Sequence, residues 1–120
     1  MISPTKKGIR TDLEGSGEYG ANRGNRIHNG VDYLCDKDQY IIAPFDMQIL
    51  RIANPKAESE LSGIEWKCGK SIGKLFYFLP DKSLIGKHIR EGDSIGIAQS
   101  VSKDYGLVDM KDHVHFQIDK

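Results

Sequence analysis

The chain has 120 residues, 38% hydrophobic and 28% charged, which is the composition of one domain with a modest core. Lys plus Arg and Asp plus Glu both number 17, so the formal charge is zero and bulk attraction to nucleic acid is not expected. No apolar run approaches the roughly 20 residues that span a bilayer, and residues 1–20 are too polar and Gly-rich for a signal peptide. Cys35 and Cys68 leave two alternatives open, one disulfide or two unpaired buried thiols, and neither lies in a Cys-x-x-Cys pair.

In chain order, residues 1–8 are expected to be flexible, with Lys6, Lys7 and Arg10 as a solvated basic start. The segment 8–30 is punctuated by Gly15, Gly17, Gly20 and Gly24 and reads as a long irregular loop. Long ordered loops in compact domains are usually functional. Arg23 and Arg26 within it could grip a carboxylate or serve solubility alone. Short apolar, β-branched and aromatic runs then predict strands at 31–35, 39–43, 48–52, 63–67, 74–79, 94–98 and 113–118. Asp36-Lys37-Asp38, Asn54-Pro55, Pro80-Asp81 and Glu91-Gly92-Asp93 supply turns. A short helical turn is expected only at 56–62. Phe45, Ile95 and Ile97 are core by pattern, and Trp66 is a packing aromatic. Tyr77, between Phe76 and Phe78, is expected to be half-buried, while Tyr19 could line a groove. Many short strands with turns between them indicate a single all-β domain over 1–120.

The last strand carries the strongest chemical signal. In His113-Val114-His115-Phe116-Gln117-Ile118 the alternation sends Val114, Phe116 and Ile118 to a core. His113, His115 and Gln117 then share the opposite face. Next-but-one residues on a strand lie roughly 6.6 Å apart, a spacing at which two imidazoles can serve one metal ion and one water. The plain alternative is an edge strand with two solvated histidines. His28-Asn29-Gly30-Val31-Asp32 adds a second half. On a straight strand His28 and Asp32 would lie about 13 Å apart, but the Asn29-Gly30 turn can bring them together. His-x-x-x-Asp with His-x-His offers N, O and N ligands to one Zn²⁺, leaving one histidine to hold or deprotonate a water. Asp112 could orient one imidazole from behind.

These residues resemble the LytM/lysostaphin-type zinc metallopeptidases. The likeness runs in order through Gly20-x-x-Arg23, His28-x-x-x-Asp32, Ala43-Pro44-Phe45, 90–96 and His113-Val114-His115-Phe116. It implies an antiparallel β-sandwich or barrel-like domain with long loops. It also implies zinc ligands His28, Asp32 and His115, with His113 acting on the water as the catalytic residue. The segments 8–11, 17–35 and Phe76-Tyr77-x-x-Pro80 are most similar to the chemotaxin-like subgroup, whose members bind zinc and are regarded as lacking peptidase activity. Active LytM-type peptidases carry a further histidine in a Tyr-x-His segment that stabilises the oxyanion. Here Leu79 is expected in that slot, and a missing donor of this kind costs about 100-fold to 1000-fold in rate. His88 is read as a solvated surface residue rather than a substitute. The subgroup's cysteine pair near 12–16 is absent, so its disulfide pattern does not carry over. The expectation is a Zn²⁺-binding recognition or signalling module with weak or no peptidase activity. The alternative is an active peptidoglycan endopeptidase. The resemblance implies a peptide, a peptidoglycan cross-bridge or a protein receptor as partner, in an extracellular or cell-wall-facing setting, and a monomer.

Overall fold

The computed structural model describes residues 1–9, 30–101 and 111–119, and between 11 and 27 the backbone pairing of four short strands. Those strands are β1 (Thr11–Asp12), β2 (Gly15–Ser16), β3 (Asn22–Arg23) and β4 (Arg26–Ile27), paired antiparallel as β1–β2 and β3–β4. The segment expected as an irregular loop therefore contains two minimal hairpins. Two-residue strands are too short for hydrophobic alternation to reveal.

The other described residues build two packed antiparallel sheets, as expected for an all-β sandwich. The larger has the order β11-β7-β8-β9-β13-β5. Its strands are β5 (Val31–Leu34), β7 (Met47–Ile52), β8 (Gly63–Cys68), β9 (Ser71–Phe76), β11 (His88–Ile89) and β13 (His113–Ile118). The smaller has the order β10-β12-β6, from β6 (Tyr40–Ile42), β10 (Phe78–Pro80) and β12 (Ser94–Ala98). Ile49, Ile64, Trp66, Leu75, Val114 and Phe116 of the larger sheet meet Ile41, Phe78, Ile95 and Ala98 of the smaller in one core. Trp66 stacks on Phe116 with ring centroids 5.5 Å apart and meets Phe45 edge-on at 4.9 Å. A buried aromatic of this size removes about 200 Å² from water, worth up to about 5 kcal/mol of transfer free energy. Gly73, opposite Trp66 in register, makes room for the indole: a Cβ there would sit 2.4 Å from Trp66 Cζ2.

Several expectations shift, each for a local reason. The predicted strand 74–79 is divided, because Tyr77 takes φ +80° and turns the chain from the larger sheet into the smaller. Such a conformation in a non-glycine costs on the order of 1–3 kcal/mol and persists only where its surroundings fix it. Here Tyr77 N donates to Ser62 O (2.7 Å) and Gln99 N to Tyr77 O (3.0 Å). Gln99 ties the same bend down, accepting from Ser62 N at 2.8 Å and donating to Glu60 O at 2.8 Å. On β12 a bulge between Ser94 and Gly96 reverses the alternation. Ile95 is buried as expected, but Ile97 is 39% exposed and not core. No helical turn forms at 56–62; the 3₁₀ turn lies at Lys82–Leu84, capped by the Asp81 side chain, which accepts from Ser83 N. Ile118, at the end of β13, is exposed.

Residues 1–8 run beside the sheets. Ile42 N donates to Pro4 O at 3.0 Å, Leu34 N to Gly8 O at 2.8 Å, and Thr5 is buried. Cys35 is buried, Cys68 is exposed, and both are free thiols. Among the described residues, no helix is long and apolar enough to cross a membrane.

Candidate metal centre

β5 and β13 are antiparallel neighbours at one end of the larger sheet, and their register sets Asp32 directly across from His115. Val114 and Phe116 face the core, so the histidines and Gln117 share the outer face, as alternation requires. The solvated-histidine alternative does not hold, since His113 is 4% exposed and Asp32 2%. His115 Nδ1 lies 2.8 Å from Asp32 Oδ1, and His113 Nε2 lies 3.6 Å from Asp32 Oδ2. One buried carboxylate thus serves two imidazoles, one at each oxygen.

Each ring is held from its other side. His113 Nδ1 is 2.8 Å from the Lys111 carbonyl, which can only accept. Nδ1 therefore carries a proton, and Nε2 is the nitrogen turned towards Asp32. The Lys111 carbonyl fills the role considered for Asp112, whose Oδ1 accepts from Ser100 Oγ at 3.3 Å. His115 Nε2 meets Gln117 Oε1 at 2.9 Å. Phe76, opposite His115 in register, stacks on its ring at 6.2 Å and 12°. Tyr77 stands edge-on to His113 at 5.3 Å and lies 6.4 Å from His115. Gly30, at φ +135°, lets the chain pass close: a Cβ would fall 2.3 Å from Phe116 O and 2.7 Å from His115 Cε1.

The Tyr77 bend also decides which side chain of its segment reaches the histidines. Leu79 lies beyond it on the smaller sheet, paired with Ile97 and 55% exposed. A residue at 79 faces away from the site, so the expected vacant slot at Leu79 is corrected. The side chain that the segment presents to the imidazoles is the Tyr77 phenol. His88 lies on β11, four strands from β13, a separation of roughly 19 Å. It is exposed and cannot substitute at this centre.

Of the expected ligands, Asp32 and His115 come together, with His113 beside them. His28 and Tyr19, and the side chains of Arg23 and Arg26, lie outside the described residues. Among the described residues, no group of three or more His, Cys, Asp or Glu could hold a metal ion. The donor chemistry of the pair nevertheless suits zinc, which takes imidazole nitrogen and carboxylate oxygen together.

Alternation had placed Gln117 on this face without giving it a role. Its amide continues into a chain of polar contacts. Gln117 Nε2 donates to Asp119 Oδ1 at 2.7 Å, and Asp119 Oδ2 pairs with Lys74 Nζ. Lys74 also meets Glu65 at 3.5 Å, and Glu65 pairs with Arg51 at 3.2 Å. Partial burial would raise the Asp119 carboxyl, but hydrogen bonds from Lys74 and Gln117 outweigh it and hold the group below the usual range. The same bond to Asp119 holds the Lys74 ammonium above its usual value.

No protein-family model matches the chain. It is 30% identical to leukocyte cell-derived chemotaxin-2 of Bos taurus over 112 residues, which cover 91% of this chain and 72% of that protein. It is 31% identical to leukocyte cell-derived chemotaxin-2 of Mus musculus over 118 residues, covering 96% of this chain and 76% of that protein. With identity of 30% or more over about three quarters of each relative's length, the chain belongs to the leukocyte cell-derived chemotaxin-2 family.

Proposed function

We propose that this chain is a zinc-binding domain of the LytM/lysostaphin type that recognises a peptide or protein partner and hydrolyses it weakly or not at all. The observation that carries this reading is the convergence of Asp32 Oδ1 and His115 Nδ1 to 2.8 Å in a buried setting. These atoms would hold the ion, with His28 as third ligand. When bound, zinc supplies Lewis acidity and lowers the pKa of water. The remaining chemistry belongs to the chain. His113, its Nδ1 proton fixed by Lys111, offers Nε2 as a proton acceptor. Phe76 and Tyr77 wall the imidazoles on one side and limit access of water. A phenol beside His113 bears no positive charge at neutral pH, its ordinary pKa being about 10. It therefore stabilises a developing oxyanion less than a protonated imidazole would, which is the basis for expecting weak hydrolysis.

A second reading, an active zinc endopeptidase cleaving peptidoglycan cross-bridges, is favoured by the position of His113 beside Asp32 and His115, with its Nδ1 held by the Lys111 carbonyl and Nε2 left as the nitrogen for proton transfer. Two measurements test both readings. Elemental analysis is expected to find one zinc per chain, lost in Asp32→Ala and in His28→Ala; a zinc-free wild type would sink both. Incubation with purified peptidoglycan is expected to release no new amino groups. Turnover that disappears in His113→Ala would establish the endopeptidase instead.

A further inference from the structure

We infer that Gln117, Asp119 and Lys74 form a positioning relay that keeps Nε2 of His115 protonated and thereby reserves Nδ1 for a cation held with Asp32. The inference rests on the zinc reading above for its consequence, but not for its geometry.

The argument runs inward from the surface. Lys74 Nζ has only donors to offer, and it engages Asp119 Oδ2. The ionised Asp119 has only acceptors, so the group facing its Oδ1 at 2.7 Å must be the NH₂ of Gln117. That fixes the amide, leaving Oε1 turned to His115 Nε2 at 2.9 Å. A carbonyl oxygen accepts, so Nε2 must be an N–H. In a neutral imidazole the lone pair is then on Nδ1, the nitrogen 2.8 Å from Asp32 Oδ1. A lone pair and a carboxylate oxygen repel at that distance unless a proton on either group, or a cation, lies between them. The relay thus prepares an N and an O donor to share one ion. Metal-bound histidines commonly receive such support at the second nitrogen, and its removal weakens metal binding by about 10-fold to 100-fold.

Register makes the relay possible. Gln117 pairs with Lys74 across β13 and β9, two residues along from His115 with Phe76. Gln117 and Asp119 follow His115 at alternate positions, so all three side chains project from the same face. The chain Lys74–Glu65–Arg51 continues across β8 and β7 and anchors the lysine.

The test uses the whole chain with ¹⁵N-labelled histidine, both metal-free and zinc-loaded. Long-range ¹H–¹⁵N spectra near pH 8 report which ring nitrogen of His115 is protonated. Nε2 is expected to bear a proton in both forms, and an unprotonated Nε2 overturns the inference whether or not zinc binds. Competition with a chromophoric chelator then gives zinc affinity. Gln117→Leu and Asp119→Ala are expected to weaken binding about 10-fold to 100-fold. Asp119→Asn, whose Oδ1 still accepts from the Gln117 amide, should recover most of the loss seen in Asp119→Ala. Wild-type affinity in Gln117→Leu, with the fold intact by circular dichroism, also overturns the inference. A wild type that takes up no zinc defeats the zinc reading alone, because the Nε2 proton is read independently of the metal.

Discussion

Replacing Gly30 by Ala is the most revealing single perturbation, because this position joins the backbone path to the candidate centre. Gly30 sits at φ +135°, a conformation that side chains rarely adopt, which costs about 1–3 kcal/mol. The added Cβ would also meet Phe116 O at 2.3 Å, His115 Cε1 at 2.7 Å and His115 Nε2 at 2.9 Å. The carbonyl belongs to the β13 ladder and cannot yield without disturbing its pairing, so crowding adds about 1–3 kcal/mol. At roughly 3–4 °C per kcal/mol for a domain of this size, the melting temperature should fall by about 6–24 °C. Gly96→Ala is the natural control. It crowds Leu79 O at 2.3 Å and Phe78 Cδ2 at 2.6 Å in the smaller sheet, without a positive φ. It should destabilise the fold but leave zinc affinity within about twofold, whereas Gly30→Ala should weaken zinc more than about tenfold by displacing the His115 ring. Thermal unfolding by circular dichroism and chelator competition read the two effects. A Gly30→Ala melt within about 2 °C of wild type would refute the steric argument. Equal zinc losses in the two variants would refute the claim that Gly30 acts through His115.

Other outcomes follow from the same geometry. Tyr77→His should raise release of amino groups from peptidoglycan by up to about 100-fold to 1000-fold if the phenol limits the rate, while Leu79→His, facing away, should change nothing; an unchanged zinc-loaded Tyr77→His would remove that explanation. Under native conditions a maleimide should label exposed Cys68 rapidly and buried Cys35 only on unfolding, and equal rates would contradict the burial of Cys35. Burial, reinforced by Asp112 and Asp36, pushes the Cys35 thiol from 9.0 up to about 12, so the folded state keeps a proton that the unfolded chain releases. That contribution to stability is complete below about pH 9 and is lost as pH rises to about 12; Cys35→Ala should flatten this part of the stability profile, and an unchanged slope would assign it to other groups. Saturating zinc, at about 100 times its dissociation constant, should stabilise the chain by about 2.7 kcal/mol over a chelator-treated sample, a gain that Asp32→Ala should lose.

Several elements were legible from local pattern. The bounds of β12 and β13 match the expected 94–98 and 113–118, and the outward face of His113 and His115 follows from alternation alone. Ile97 was misread because a bulge reverses that alternation, and no residue type in Ser94-Ile95-Gly96 announces a bulge unambiguously. Tyr77 was misread as part of a continuous strand because a positive φ in an aromatic residue has no sequence signature. The contacts with Ser62 and Gln99 that hold the bend come from distant parts of the chain. His88 seemed near the site in sequence but lies at the opposite edge of the larger sheet, and strand order is not encoded in local periodicity.

The amino-acid sequence by itself determined the all-β class, the face shared by His113, His115 and Gln117, and the nitrogen and oxygen donors available there. These depend on side-chain type and a period of two, which are local properties. Tertiary structure decided that Asp32 stands across from His115, 83 positions away, that Tyr77 rather than Leu79 meets the histidines, and that Lys74 reaches Asp119 behind Gln117. Those choices depend on register between distant strands. Register is fixed only when Trp66, Phe116 and Val114 close one core, because a slip of one residue would turn every one of these side chains to the wrong face.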